Sequence, residues 1–106
     1  MIRHCVFFKF RTGVSTDERA EIYAGLAGLV GQIDGLLSAD FGPNVSPEGL
    51  AQGFGNGFIM DFVDEAARDR YLPHPAHQAA GARLVAALEG GTDGLVVVDM
   101  KIAERS

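Results

Sequence analysis

Three things are scarce in this sequence: cysteine, clustered basic residues and long apolar runs. A single cysteine, Cys5, cannot form an internal disulfide, so we expect the protein to reside in a reducing compartment such as the cytoplasm. The formal net charge is −5 and the lysines and arginines do not cluster, so we expect no nucleic-acid partner, since phosphate binding needs those side chains. No apolar run approaches the roughly 18 residues of a membrane span, and no signal-peptide pattern opens the chain, so we expect a soluble protein.

A chain of 106 residues without internal repeats is close to the commonest domain size, and residues 1–106 are interpreted as a single domain. The first strand, at residues 2–10, is apolar on both faces, because Cys5 and Phe7 lie between apolar even-numbered positions. Such a strand is covered on both sides, and so small a chain has few helices to supply both covers. We therefore expect a homodimer in which the side with Cys5 and Phe7 faces the partner subunit.

Helix start and stop signals divide the rest of the chain. Ser15 and Glu18 form a capping box that opens the first helix, and Gly35 ends it. Asp64 caps a second helix, which Pro73 breaks into two pieces. Further strands are predicted at about 36–42, 54–63 and 95–102, and the two pieces of the broken helix at 65–72 and 75–89. The order β-α-β-β-α-β predicts an α+β protein with a ferredoxin-like fold and a split second helix.

Four short segments form a recognisable set: MIRH leading into FKF within residues 1–10, GPNVSPEG at 42–49, YLPHPAHQ at 71–78 and VVVD at 96–99. Together, and in this order, they resemble the Dabb family of stress-responsive dimeric α/β-barrel domains. The resemblance implies a ferredoxin-like subunit whose sheet packs against the sheet of a second subunit to form a barrel-like dimer. This implication agrees with the two apolar faces of the first strand.

One plant member of that family, olivetolic acid cyclase, closes a linear polyketide by an aldol condensation without a metal or an organic cofactor. By resemblance, the cyclase's two histidines, one tyrosine and the aspartate that orients its base fall on His4, His77, Tyr71 and Asp99. Two positions depart from the pattern: Leu26 stands where the cyclase has a second pocket tyrosine, and Asn56 where the family often has a histidine. These departures change the lining of the implied pocket, so the plant substrate is not carried over.

His77 has the sequence features of an acid/base residue. It lies in the first turn of the helix that begins at Pro75, on the same side as Leu84 and Leu88. Burial and the helix N-terminus both disfavour a charged ring, so we expect a neutral imidazole that can accept a proton. We expect Asp99, in the apolar last strand, to face His77 and fix its tautomer. The alternative is a purely structural pair that ties the last strand to the helix.

The other candidates also have structural alternatives. His4 shares a strand face with apolar residues, so it belongs either to the pocket or to the core. The hydroxyl of Tyr71 can donate to a developing enolate, or its ring can simply pack against the helix break. His74 and His77 are three residues apart, which suits a metal, but no third ligand accompanies them, so we expect no metal and no cofactor.

Two functions remain open from the sequence. The first is a cofactor-independent enzyme of the aldol, cyclase or lyase type, acting on a hydrophobic carbonyl metabolite with His77 as base, Asp99 as its orienter, and Tyr71 and His4 binding the carbonyl oxygen. The second is a non-catalytic, stress-responsive dimer that binds a hydrophobic small molecule or stabilises a partner. Leu26 and Asn56 favour it, because they replace polar residues of the implied pocket. Other ferredoxin-like dimers, such as the antibiotic monooxygenase group, fit the HPAH run less well.

Overall fold

Four antiparallel strands and three helices make up the fold of this protein, whose computed structural model describes residues 1–103. The elements are β1 (Ile2–Phe8), α1 (Thr16–Ala27), β2 (Leu36–Pro43), β3 (Asn56–Phe62), α2 (Glu65–Tyr71), α3 (Pro75–Ala86) and β4 (Leu95–Lys101), with 3-10 helices at Gly28–Gly31 and Gly91–Gly94. The strands lie in the order β2-β3-β1-β4, and each neighbouring pair is antiparallel. This is the ferredoxin-like α+β fold with a split second helix, as the sequence predicts.

Side-chain caps begin the helices where the sequence places them. The hydroxyl of Ser15 accepts a hydrogen bond from the backbone N–H of Glu18 at 3.0 Å, and the carboxylate of Asp64 accepts one from Ala67 at 2.9 Å. His74 caps α3, because its Nδ1 accepts the backbone N–H of Ala76 at 3.1 Å. The break at Pro73 therefore separates α2, which ends at Tyr71, from α3, which begins at Pro75.

The ends of the elements differ from the sequence prediction by a few residues. Helix α1 ends at Ala27 rather than near Gly35, since Gly25 near its end and Gly28 directly after it lower helix propensity, and the chain tightens into a 3-10 helix. Helix α3 ends at Ala86 rather than at residue 89, because Leu88 pairs with Phe10 in an isolated bridge. The same bridge lies beyond the end of β1, which ends at Phe8.

The two faces of the sheet have different surroundings. On the helix face the even-numbered residues of β1 pack with side chains of all three helices into one buried core. The opposite side, here called the open face, includes Arg3, Cys5, Phe7, Ile59, Asp61, Val96, Val98 and Met100. Five of these are large apolar residues that remain exposed, at 36% to 52% of their surface. Cys5 is buried among them, as predicted, and burial raises the pKa of its thiol.

No helix among residues 1–103 is long and apolar enough to cross a membrane.

Candidate functional site

His4 and Asp99 form a close pair across the β1–β4 ladder. The two residues are direct partners in the antiparallel register, and the Nδ1 of His4 lies 2.5 Å from Oδ1 of the carboxylate. The other oxygen, Oδ2, accepts a hydrogen bond from Nη1 of Arg68 at 2.6 Å. Burial alone would raise the pKa of Asp99, but the hydrogen bonds from His4 and Arg68 outweigh it and hold that pKa below its ordinary value. A carboxylate acceptor requires Nδ1 of His4 to carry the proton, which leaves Nε2 as the ring nitrogen without this partner.

The predicted pairing of His77 with Asp99 is wrong. The Nδ1 of His77 instead lies 3.0 Å from the carbonyl oxygen of Leu72. That carbonyl belongs to the last turn of α2, and the residue three positions on, Pro75, has no N–H to offer it. The helix break thus supplies His77 with a local acceptor, while the strand register gives Asp99 to His4.

The surroundings of His77 favour its neutral form. Burial lowers its pKa and so do the neighbouring His4 and His74, whereas the hydrogen bond to Leu72 acts in the opposite direction and does not cancel them. Because the carbonyl accepts the proton on Nδ1, the lone pair of His77 is on Nε2. The predicted neutral imidazole is therefore present, although a backbone carbonyl and not a carboxylate fixes its tautomer.

Tyr71 lies between the two histidines and is 1% exposed. Its ring centroid is 4.0 Å from that of His77 and 5.7 Å from that of His4. Within residues 1–103 the Tyr71 hydroxyl makes no hydrogen bond, and burial together with the charge of Asp99 raises its pKa well above the ordinary value. The hydroxyl consequently stays protonated and is available as a donor.

These three side chains line one cavity of about 340 Å³ between β1, β4, α2 and α3. Gln78 is the fourth polar residue of the lining, and the rest of the wall is apolar or glycine. Asp99 lies behind His4 and does not line the cavity. His4, Tyr71 and His77 therefore converge as the sequence predicts, with Asp99 and Arg68 supporting His4 from outside.

The two departures from the family pattern fall in different places. Leu26 is buried and forms part of the wall of this cavity. Asn56 lines a separate cavity of about 490 Å³ next to Phe7 and Asp40, and it does not line the one with the histidines. Only Leu26 therefore changes the surroundings of His4, Tyr71 and His77.

Sequence reasoning missed Arg68, which binds Asp99. The available signal is its position in α2, three residues before Tyr71, because residues at i and i+3 lie on the same side of a helix. Metal ligation finds no support among residues 1–103, where no three His, Cys, Asp or Glu side chains are grouped closely enough to hold an ion. His74 is engaged as the cap of α3.

Comparison with known proteins agrees with this fold. The family model described as "Stress responsive A/B Barrel Domain" (Dabb) matches residues 2–102. The stress-response A/B barrel domain-containing protein HS1 of Arabidopsis thaliana is 31% identical over 100 residues, which cover 94% of this chain and 88% of that protein. A dimeric ferredoxin-like protein of unknown function from Jannaschia sp. CCS1 superposes with a TM-score of 0.87 at 37% identity, covering 95% of this chain and 98% of that one.

A second solved structure, the hydroxynitrile lyase of Passiflora edulis, has a TM-score of 0.84 at 21% identity. The match covers 99% of this chain and 95% of that one, and at this identity it supports the fold alone. The family model spans nearly the whole chain, and the relatives and the fold agree with it. The chain belongs to the Dabb family of stress-responsive A/B barrel domains.

Proposed function

We propose that this Dabb domain is a cofactor-independent acid/base enzyme of the aldol, cyclase or lyase type, acting on a hydrophobic carbonyl compound. The observation that carries the proposal is the convergence of His4, Tyr71 and His77 on one cavity of about 340 Å³ with a mostly apolar wall. A pocket of that size with a few convergent polar groups suits a small organic molecule. The perturbed pKa values of Tyr71 and His77 support a chemical role for the same groups.

The hydrogen bond between His4 and Asp99 supports His4, in place of His77, as the base of the proposed reaction. Nε2 of His4 takes a proton from the carbon next to the substrate carbonyl, and the carboxylate of Asp99 compensates the positive charge that the ring acquires. The electron pair of the broken C–H bond moves to the carbonyl oxygen, where the Tyr71 hydroxyl donates a hydrogen bond to the enolate. His77, neutral and with its lone pair on Nε2, accepts a hydrogen bond from a hydroxyl group of the substrate.

The proposal includes a homodimer built on the open face. Phe7, Val98 and Met100 leave apolar surface on this face in the single subunit, and burying it stabilises a dimer. The similar Jannaschia protein is described as dimeric. A reducing compartment such as the cytoplasm suits the single thiol of Cys5.

Hydrogen–deuterium exchange on a simple ketone tests the catalytic proposal without knowledge of the natural substrate. The protein is incubated with cyclohexanone in D₂O, and loss of the protons next to the carbonyl is followed by NMR. We expect the wild type to accelerate this exchange, His4→Gln to abolish the acceleration, and Tyr71→Phe, which removes only the hydroxyl, to reduce it by about 10²-fold. Exchange at the buffer rate with the wild type, or equal rates with His4→Gln, would contradict the proposal.

A non-catalytic binding dimer is the second candidate, and Leu26 favours it. Its buried side chain gives the cavity an apolar wall, which suits holding a hydrophobic molecule without reacting with it. This function predicts that cyclohexanone shifts the NMR signals of cavity residues while its exchange rate stays at the buffer value. The same samples therefore separate binding from catalysis.

A further inference from the structure

Gly81 occupies an unusual position in α3. It lies inside the helix, four residues after His77, and its backbone angle is not among the positive φ values that favour glycine. Glycine in a helix interior is less stable than alanine, because it loses more backbone freedom on folding. The presence of glycine instead of alanine at position 81 therefore needs a physical reason.

Close packing does not supply that reason. A Cβ atom built at Gly81 would meet a single atom within 4 Å, Nε2 of His77 at 3.7 Å, which is an ordinary van der Waals distance. By contrast, a Cβ at Gly57 would come within 2.8 Å of the Phe7 ring, and one at Gly35 within 2.5 Å of Ala67. Alanine therefore fits at position 81 without strain, whereas it does not fit at the other two glycines.

The space left open at Gly81 belongs to the cavity. Gly81 lines it together with His77, and the one atom near the missing Cβ is the ring nitrogen with the lone pair. A group that forms a hydrogen bond with Nε2 from this side must be the donor, because the nitrogen has no proton to give. No Asp, Glu, Lys or Arg side chain lines the cavity among residues 1–103, so an ionic ligand group would be left without a partner there.

We propose that Gly81 is a specificity-determining position, whose missing side chain leaves room for a hydroxyl group of an uncharged, mainly apolar ligand to donate to Nε2 of His77. This inference rests on the proposed function, since it concerns the same cavity. It deepens that function by naming the ligand class: an uncharged molecule with an apolar body, a hydroxyl donor for His77 and an oxygen acceptor for the hydroxyl of Tyr71.

Phenol and toluene are suitable probes, since they have nearly the same shape and differ by a hydroxyl in place of a methyl group. Their affinities are measured by NMR titration for the wild type, for Gly81→Ala and for Gly25→Ala. The last variant is a matched control, because Gly25 also lies inside a helix, α1, with nothing within 4 Å of a Cβ built there. Both variants should raise Tm by a few degrees, as alanine replaces helical glycine.

Gly81→Ala should lower the ratio of phenol affinity to toluene affinity by about tenfold, while Gly25→Ala leaves it unchanged. A lower Tm in Gly81→Ala would mean that the glycine is structural and would overturn the inference. A ratio that stays within twofold of the wild type would also overturn it, leaving the proposed function intact if cyclohexanone exchange persists. Wild type that binds neither probe would overturn the inference, and the proposed function would fall with it only if cyclohexanone exchange also stays at the buffer rate.

Discussion

The two faces of the sheet differ in what covers their side chains. On the helix face, Phe8 is fully buried by the protein's own helices, and His4 is held by a carboxylate on the neighbouring strand. The residues just before them in β1 lie on the open face: Phe7 precedes Phe8, and Arg3 precedes His4. Phe7 is 41% exposed there. The comparison teaches that one strand contributes alternately to a core, which the chain completes by itself, and to a surface that a second molecule can cover.

The largest expected difference between the faces concerns two adjacent phenylalanines. Phe8→Ala should lower the free energy of unfolding by about 3–5 kcal/mol, since it removes a fully buried ring and leaves a cavity. Phe7→Ala should leave the subunit folded but shift it from dimer to monomer. Denaturant unfolding measures the first effect, and light scattering with circular dichroism measures the second. Equal losses of stability in dilute, monomeric samples would remove the distinction between the faces, and a monomeric wild type at micromolar concentration would refute the dimer.

A second difference concerns two cross-strand side-chain pairs: the hydrogen-bonded pair His4–Asp99 on the helix face and the ion pair Arg3–Asp61 on the open face. Asp99→Ala should lower the free energy of unfolding by about 1–3 kcal/mol, because it leaves the buried Nδ1–H of His4 without an acceptor. Asp61→Ala should cost about 1 kcal/mol or less in the subunit, since the partly exposed Arg3 can turn to water. Thermal unfolding gives both values, and only Asp99→Ala should also slow cyclohexanone exchange. A larger loss from Asp61→Ala would contradict this ranking.

The smallest expected effect is a pH dependence from His77, on the helix face. Its pKa is lowered in the folded state, so the unfolded chain binds a proton first as the pH decreases through the ordinary value of 6.5. Stability from this group is therefore complete above that pH and is lost as the pH falls from it toward the folded pKa. Melting temperatures of wild type and His77→Gln between about pH 8 and pH 5 should diverge at the alkaline end and converge at the acidic end. A constant difference across this range would show that His77 does not titrate differently on folding.

Local signals made much of the fold predictable from the sequence. The cap at Ser15, the cap at Asp64 and the break at Pro73 each depend on a few neighbouring residues, and each lies where it was predicted. The apolar character of both faces of β1 likewise reflects a simple alternation. Features that depend on neighbours in sequence can be recognised without knowing the tertiary structure.

The partners of the site residues could not be predicted in the same way. Whether Asp99 meets His4 or His77 depends on the register between β1 and β4, which lie near opposite ends of the chain. His4 and Asp99 themselves are 95 positions apart. Arg68 meets Asp99 across a separation of 31 positions in the chain, a contact that no local pattern specifies. The resemblance supplied the candidate residues, and the strand register decides which of them pair. Their catalytic roles stay predictions.

The proline break in the second helix also constrains which amino-acid substitutions this chain can accept in evolution. Because Pro75 has no N–H, the carbonyl of Leu72 is free for His77, and that bond decides which ring nitrogen carries hydrogen. Any other residue at position 75 brings an amide that can compete for the carbonyl. If it succeeds, the imidazole is released to its other form, and the nitrogen facing the space at Gly81 becomes a donor instead of an acceptor. A substitution at position 75, outside the cavity lining, would thus change Nε2 of His77 from a hydrogen-bond acceptor into a donor.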